Sequence, residues 1–231
     1  MKNLLDESPH RDEHGGTLYG AGLVGAANLS GKDVLDIGCG FGWFAVHALG
    51  SGAQSVTGIE PVEADLSTAR GQIHDERATF VAAGGESLPF DDWSFDTVVM
   101  WEVLEHVPKH TEPRVFAEVT RVLRPGGRFF LSTPFRSVRA CVTDPAWWLI
   151  GHRHYSRQRL LDFASEAGLE VEHLDVRGGG WQILHMNNMY VAKWIFRRRP
   201  FFEAASLARL DCEWFGRSGY TNAVLTCRKP I

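Results

Sequence analysis

The chain lacks three features that would each point to a specialised class. No stretch of about 18 uncharged apolar residues occurs, so nothing reads as a membrane-spanning helix. The opening Met1–His10 has no apolar core of the kind a secretory leader carries. Cysteine is sparse: Cys39, Cys141, Cys212 and Cys227 stand far apart, with no CxxC and no companion histidine spacing. That pattern builds neither a zinc cluster nor a disulfide framework, and it leads us to expect reduced thiols in the cytoplasm. Positive charge is not in excess either. Lys plus Arg number 24 against 28 Asp plus Glu, a formal charge of −4, so no global basic field exists to gather nucleic acid by counterion release, and no nucleic-acid partner is expected.

What is present is ordinary for a folded protein. Hydrophobic residues make up 44% and charged residues 23% of 231 positions, which excludes disorder and fibrous repeats. The length predicts a single domain over residues 1–231, with an N-terminal arm or helix over 1–30. Short apolar runs ending in Gly or an acid alternate with segments of helical spacing, the pattern of βαβ units around a parallel sheet. Strands are predicted at 33–37, 55–60, 79–82, 95–101, 128–132, 169–176 and 221–228, and helices at 42–51, 62–74, 111–123 and 156–167. Arg124-Pro125-Gly126-Gly127 reads as a turn before the fifth strand. Residues 31–135 form the first half and 136–231 the second, which carries an aromatic insertion at about 177–219.

The strongest motif is Val34-Leu-Asp36-Ile-Gly38-Cys-Gly40-Phe-Gly42-Trp-Phe44, a strand entering a loop with glycine at alternate positions and then a helix. Missing β-carbons let a ligand rest on the backbone. The dinucleotide fingerprint is excluded because Trp43 stands where its third glycine belongs, and no Gly-Lys-Ser/Thr follows to make a phosphate loop. The second strand ends at Glu60-Pro61, which places a carboxylate where a ribose would meet the open edge of the sheet.

In these residues the chain resembles the class I S-adenosylmethionine-dependent methyltransferases, specifically their small-molecule subgroup. The resemblance continues through Glu86-Ser-Leu-Pro-Phe90, Trp93-Ser-Phe-Asp96, Glu102-Val-Leu-Glu-His106-Val, Arg121-Val-Leu-Arg-Pro-Gly-Gly127 and His152-Arg-His-Tyr-Ser156, covering about residues 30–176 and the final strand. It implies a Rossmann-like three-layer αβα sandwich, with a seven-stranded mostly parallel sheet whose last strand is antiparallel. It also implies S-adenosylmethionine as cofactor and S-adenosylhomocysteine as product. The methionine moiety would lie over Asp36, Gly38 and Gly40, the ribose on Glu60, and adenine near Pro61 and Glu86, Ser87 and Leu88. Trp101 would stand beside the sulfonium. One position departs: where the subgroup usually reads G-D-A-E this chain has Ala83-Gly84-Gly85-Glu86, so the common adenine-contacting Asp is replaced by Gly84.

The expected reaction is O-methylation of a small or lipid-linked metabolite, with N- or C-methylation and a non-catalytic cofactor-binding module as alternatives. His106 is the candidate base, since imidazole titrates near working pH; the competing reading is a helix-start histidine bonded to backbone. Glu102, Glu105 and His106 resemble a divalent metal set in some relatives, with His152 or His154 as the further ligand, but the shell is incomplete and metal is not favoured. His152, His154 and Tyr155 follow Trp147-Trp148 and are expected to contact the acceptor. The segment Trp181–Arg199 reads as an apolar helix ending in cations. It can serve as a lid, as an interfacial helix making peripheral membrane contact, or as a dimer face.

Overall fold

The structure is a computed structural model that describes residues 15–197, 201, 210 and 215–231. Expectations for Arg198, Arg199, Phe202, Cys212 and Trp214 fall outside the described residues. Seven strands form one sheet: β1 (Asp33–Ile37), β2 (Ser55–Ile59), β3 (Ala78–Val81), β4 (Phe95–Trp101), β5 (Leu123–Pro134), β6 (Glu170–Arg177) and β7 (Asn222–Arg228). Their order is β3-β2-β1-β4-β5-β7-β6. The first five are mutually parallel, and β7 runs antiparallel to both neighbours.

The helices are α1 (Gly15–Val24), α2 (Trp43–Gly50), α3 (Glu63–Gln72), α4 (Glu112–Val122), α5 (Val138–Thr143), α6 (Pro145–Ile150), α7 (Arg157–Glu166) and α8 (Gly180–Tyr190), the last continued by a π-helical turn at Val191–Ile195. Period-two alternation along the strands divides the core between the two faces of the sheet. Val34, Val99 and Phe130 point to one side, where Phe44, Ala45 and Ala48 of α2 cover them together with Val24 and Leu29. Leu35, Val98, Met100, Phe129 and Leu131 point to the other, under Phe116 and Val119 of α4 and Leu160 and Phe163 of α7. The three-layer arrangement follows from that alternation.

Two expectations are revised. Residues 124–127 do not form a separate turn before a short strand. They bulge out within a longer β5, so that Phe95 pairs with Leu123 while Thr97 pairs with Arg128. Gly126 has φ +79°, and a β-carbon on Gly127 would stand 2.8 Å from the Asp96 carbonyl oxygen, so the bulge requires glycine. Residues 138–150, where no helix is predicted, form the short helices α5 and α6, capped by the Ser137 and Asp144 side chains. No helix among the described residues is long and apolar enough to cross a membrane.

Candidate active site

In an open parallel sheet the strands deliver their loops to one edge, and the crevice opens where strand order reverses, here between β1 and β4. The β1–α2 loop sits there. Gly38, Gly40 and Gly42 all have positive φ, and a β-carbon on Gly38 would overlap Val103, at 2.2 Å from a methyl carbon. In front of the Gly40 α-carbon there is open space, so a ligand can lie against the backbone. Glu60, just beyond β2, braces the loop: Gly40 N–H donates to Oε2 at 3.3 Å and Val62 N–H to Oε1 at 3.1 Å.

Asp36 on β1 is buried, and its Oδ2 has no hydrogen-bond partner. Desolvation, with Glu60 nearby, pushes its pKa up to about 8. A buried orphan carboxylate beside a glycine cradle and a strand-end glutamate suits a cationic nucleoside, and by that test the residues fit S-adenosylmethionine. Pro61 and Ser87 are exposed and Glu86 is half-buried, with the Glu86 carboxylate filling the space a side chain at Gly84 would take, 2.6 Å from an ideal β-carbon. Trp101 packs against Phe44 with a centroid separation of 5.9 Å and closes over Gly20. The Leu88 side chain lies in the core, and Glu118 takes its N–H at 2.7 Å.

A cavity of about 220 Å³ is lined by Glu102, Glu105, His106, His152 and His154, with Ile183, Met186 and Tyr190 of α8 forming an apolar wall. β4 supplies the first of these through an unusual backbone. Glu102 adopts φ +54°, a left-handed conformation for a non-glycine residue, and is held there by its N–H to the Ser132 carbonyl and by the Ser132 hydroxyl donating to Oε1 at 2.6 Å. Glu105 accepts from the Thr133 hydroxyl at 2.9 Å, while its other oxygen is buried without a hydrogen-bond partner, and burial drives its pKa well up.

A residue that the sequence reading left without a role organises the histidines. Asp144, buried at the start of α6, lies 3.0 Å from Nδ1 of His152 and 2.9 Å from Nε2 of His154. Burial alone would raise its pKa, but the bonds from both histidines and from the Ala146 N–H hold it well below the usual carboxylate range. An ionised Asp144 only accepts, so His152 carries a proton on Nδ1 and turns Nε2 away from the carboxylate. That atom is 3.3 Å from Nε2 of His106 and 3.7 Å from Oε1 of Glu105. Desolvation, with His152 and Arg153 alongside, lowers the His106 pKa to about 4, although the residue keeps an exposed edge.

Residues 152–155 alternate. His152 and His154 turn toward Asp144, whereas Arg153 and Tyr155 turn away and grip the loop carrying Glu105 and His106. Arg153 donates to the carbonyls of Leu104, Glu105 and Val107 and to Glu112 at 2.6 Å; the Tyr155 hydroxyl donates to the Leu104 carbonyl at 3.0 Å. Tyr155 is thus buried in the core, and its side chain is not part of the cavity lining. Among the described residues, ligand atoms close enough to share an ion are those of Glu105, His106 and His152, with a second group at Asp144, His152 and His154. Glu102 is instead engaged with Ser132.

A family profile described as a methyltransferase domain matches residues 35–131. A ubiquinone biosynthesis O-methyltransferase of Pseudomonas aeruginosa is 40% identical over 120 residues, 49% of this chain and 49% of that one, so the chain spans about half the length of that relative. Among solved structures, an S-adenosylmethionine dependent methyltransferase from Mesorhizobium loti superposes with TM-score 0.61 at 23% identity, covering 87% of this chain and 93% of that one. The geranyl diphosphate C-methyltransferase from Streptomyces coelicolor A3(2) reaches TM-score 0.64 at 16% identity, with 92% and 77% covered. Residues 35–131 thus match a methyltransferase domain, and the chain has the fold of the class I S-adenosylmethionine-dependent methyltransferases.

Proposed function

We propose that the chain methylates an oxygen of a small or lipid-linked acceptor held in the cavity beneath α5, α6 and α8. The observation that carries this reading is the Asp144–His152–His106 chain ending in that cavity, since a hydroxyl acceptor, unlike an amine, must shed a proton to an aligned base. Asp36, Gly38, Gly40 and Glu60 bind the cofactor, with Pro61, Glu86, Ser87 and Trp101 around it. When bound, S-adenosylmethionine supplies a methyl carbon activated by positive sulfur. The chain's own task is to align the acceptor and exclude water, which the apolar wall of Ile183, Met186 and Tyr190 supports. His106 takes the acceptor proton on one ring nitrogen and passes the other to Nε2 of His152. The Asp144 carboxylate balances the resulting imidazolium, as a buried anion does for any positioned histidine.

A divalent cation is a second reading, and one observation favours it. The orphan Oε1 of Glu105 is buried beside Nε2 of His152 and the ring of His106. Those three residues would hold the ion, and its chemistry there would be to polarise the acceptor hydroxyl.

Both readings are tested by titrating S-adenosylhomocysteine into the wild type and Glu60→Ala, then assaying methyl transfer across hydroxylated acceptors with magnesium or with a chelator. Glu60→Ala is expected to weaken cofactor binding about 10–100-fold through loss of charged hydrogen bonds. Turnover that survives chelation leaves the histidine route, and turnover that requires magnesium selects the metal. Wild-type protein that fails to bind S-adenosylhomocysteine overturns the proposal.

A further inference from the structure

The cap over the cavity is apolar on its outside as well as its inside. Ala140 of α5 and Ile183, Met186 and Tyr190 of α8 face the cavity. On the opposite sides of the same elements Val138 is 84% exposed and Trp148 68%, and Val142, Leu184, Ile195, Phe196 and Phe201 are exposed too. Only Leu18, Val62, Trp93 and Ile231 are comparable among the described residues, and they are scattered over other parts of the chain. The cap residues form one surface. Trp148 donates its indole N–H to the Val142 carbonyl at 3.3 Å, Asn187 ties α8 to the Thr143 carbonyl at 3.2 Å, and Phe201 joins α8 through Asn188 while its ring meets Phe196 at 5.2 Å. A helix apolar all round is normally buried, so an outward apolar face calls for something to cover it.

Charge identifies the cover. Arg136 and Arg139 flank Val138 and are exposed, as is Arg197 after the π-helical turn. Within 135–150 the sole carboxylate is Asp144, buried between its two histidines, and residues 178–202 contain no Asp or Glu while holding Lys193, Arg197, Arg198 and Arg199; Arg177 is already paired with Asp175 at 2.7 Å. A second copy docked by two-fold symmetry would set Arg136, Arg139 and Arg197 against their equivalents with no carboxylate on α5, α6 or α8 to pair them. An anionic bilayer presents the complementary sign and an apolar interior below it. Trp at headgroup level with Arg reaching lipid phosphate is the usual interfacial arrangement.

We propose that the α5–α6–α8 cap docks on the surface of an anionic lipid bilayer, with Val138, Val142, Trp148 and Leu184 entering the interface and Arg136, Arg139 and Arg197 on the phosphates. Docking stands on the surface itself. Its consequence, that acceptor enters the cavity from the lipid side, rests on the methyl-transfer reading.

The test is co-sedimentation of the full chain with phosphatidylcholine vesicles, with and without phosphatidylglycerol, alongside S-adenosylhomocysteine titration and analytical ultracentrifugation of the same samples. Sedimentation is expected with the anionic vesicles alone and should weaken with salt. Arg136→Gln with Arg139→Gln should lower partitioning about 25-fold, at about fivefold per cation, and Trp148→Ser about tenfold, each with S-adenosylhomocysteine affinity retained. Absence of vesicle binding with nucleoside binding intact overturns docking alone, whereas failure to bind the nucleoside strikes the methyltransferase reading instead. A dimer that Trp148→Ser dissociates, without vesicle binding, overturns the lipid in favour of a second copy.

Discussion

Asp36 and Asp144 are both buried carboxylates, and their surroundings move their protons in opposite directions. Asp36 has a desolvated oxygen without a donor and holds its proton up to about pH 8, whereas Asp144 has three donors and stays ionised. Because the folded Asp36 pKa is raised, the folded chain keeps a proton that the unfolded chain has released above about pH 4. Stability therefore falls as pH rises from about 4 to 8. Asp36→Asn should flatten that fall and raise the melting temperature at pH 8 by several degrees, and parallel pH profiles for the two proteins would count against the assignment. The same proton should be expelled when a sulfonium nucleoside binds at pH 7, read as a dependence of calorimetric heat on the buffer's ionisation enthalpy that Asp36→Asn lacks. For Asp144 the expectation concerns rate. Asp144→Asn frees both imidazoles from their fixed tautomers, so methyl transfer should drop about a hundredfold or more while S-adenosylhomocysteine affinity is unchanged.

At the scale of elements, the site depends on loops held in shape by groups that never face a ligand. Arg153 satisfies three carbonyls of the 104–107 loop and the Glu112 carboxylate at the start of α4. Lysine reaches one or two of these at most, so Arg153→Lys is expected to cost about 2–3 kcal/mol, at roughly 1 for each of the two or three hydrogen bonds given up. The melting temperature should fall by about 4–12 °C, at about 2–4 °C per kcal/mol for a chain of this size. The β5 bulge makes a similar demand at Gly127. A β-carbon there meets two backbone carbonyl oxygens, of Asp96 and Arg124, at 2.8 and 2.9 Å, neither of which can swing aside as a side chain can. Gly127→Ala should cost about 1–3 kcal/mol, measured by denaturant titration, and an unchanged midpoint would mean the bulge is more pliable than its geometry implies.

Over the whole molecule, a ligand that binds only the folded chain adds about 2.7 kcal/mol at a hundredfold excess over its dissociation constant. S-adenosylhomocysteine should then raise the melting temperature by about 5–11 °C, and NAD should leave it unmoved. How much of this was legible beforehand varies with the scale of the signal. The parallel strands were readable because Val34, Leu35 and Ile37, or Val98, Val99 and Met100, are buried on both faces and must all be apolar. The glycine loop was readable because its backbone conformation restricts composition. α5 and α6 span six residues each, too short for a periodic pattern, and the role of Asp144 as partner to two histidines eight and ten positions away leaves no local trace. A motif orders Tyr155 beside His154, but it does not show that the two side chains part, because an extended segment sends alternate side chains to opposite faces. Likewise, standing beside Glu86 and Ser87 in sequence does not stop the Leu88 side chain from turning into the core.

The position of β7 has a temporal consequence. It follows β6 in the chain yet lies between β5 and β6, so β6 has no strand to pair with until β7 has been made. On the ribosome β1 to β5 can assemble as they emerge, while β6, flanked by α7 and α8, waits as an unpaired edge. The cofactor side would then acquire its shape during synthesis, and the acceptor side only once β7 slides into place. A nascent chain arrested before Asn222 should already protect the β1–α2 loop from protease while leaving Glu170–Arg177 open to cleavage.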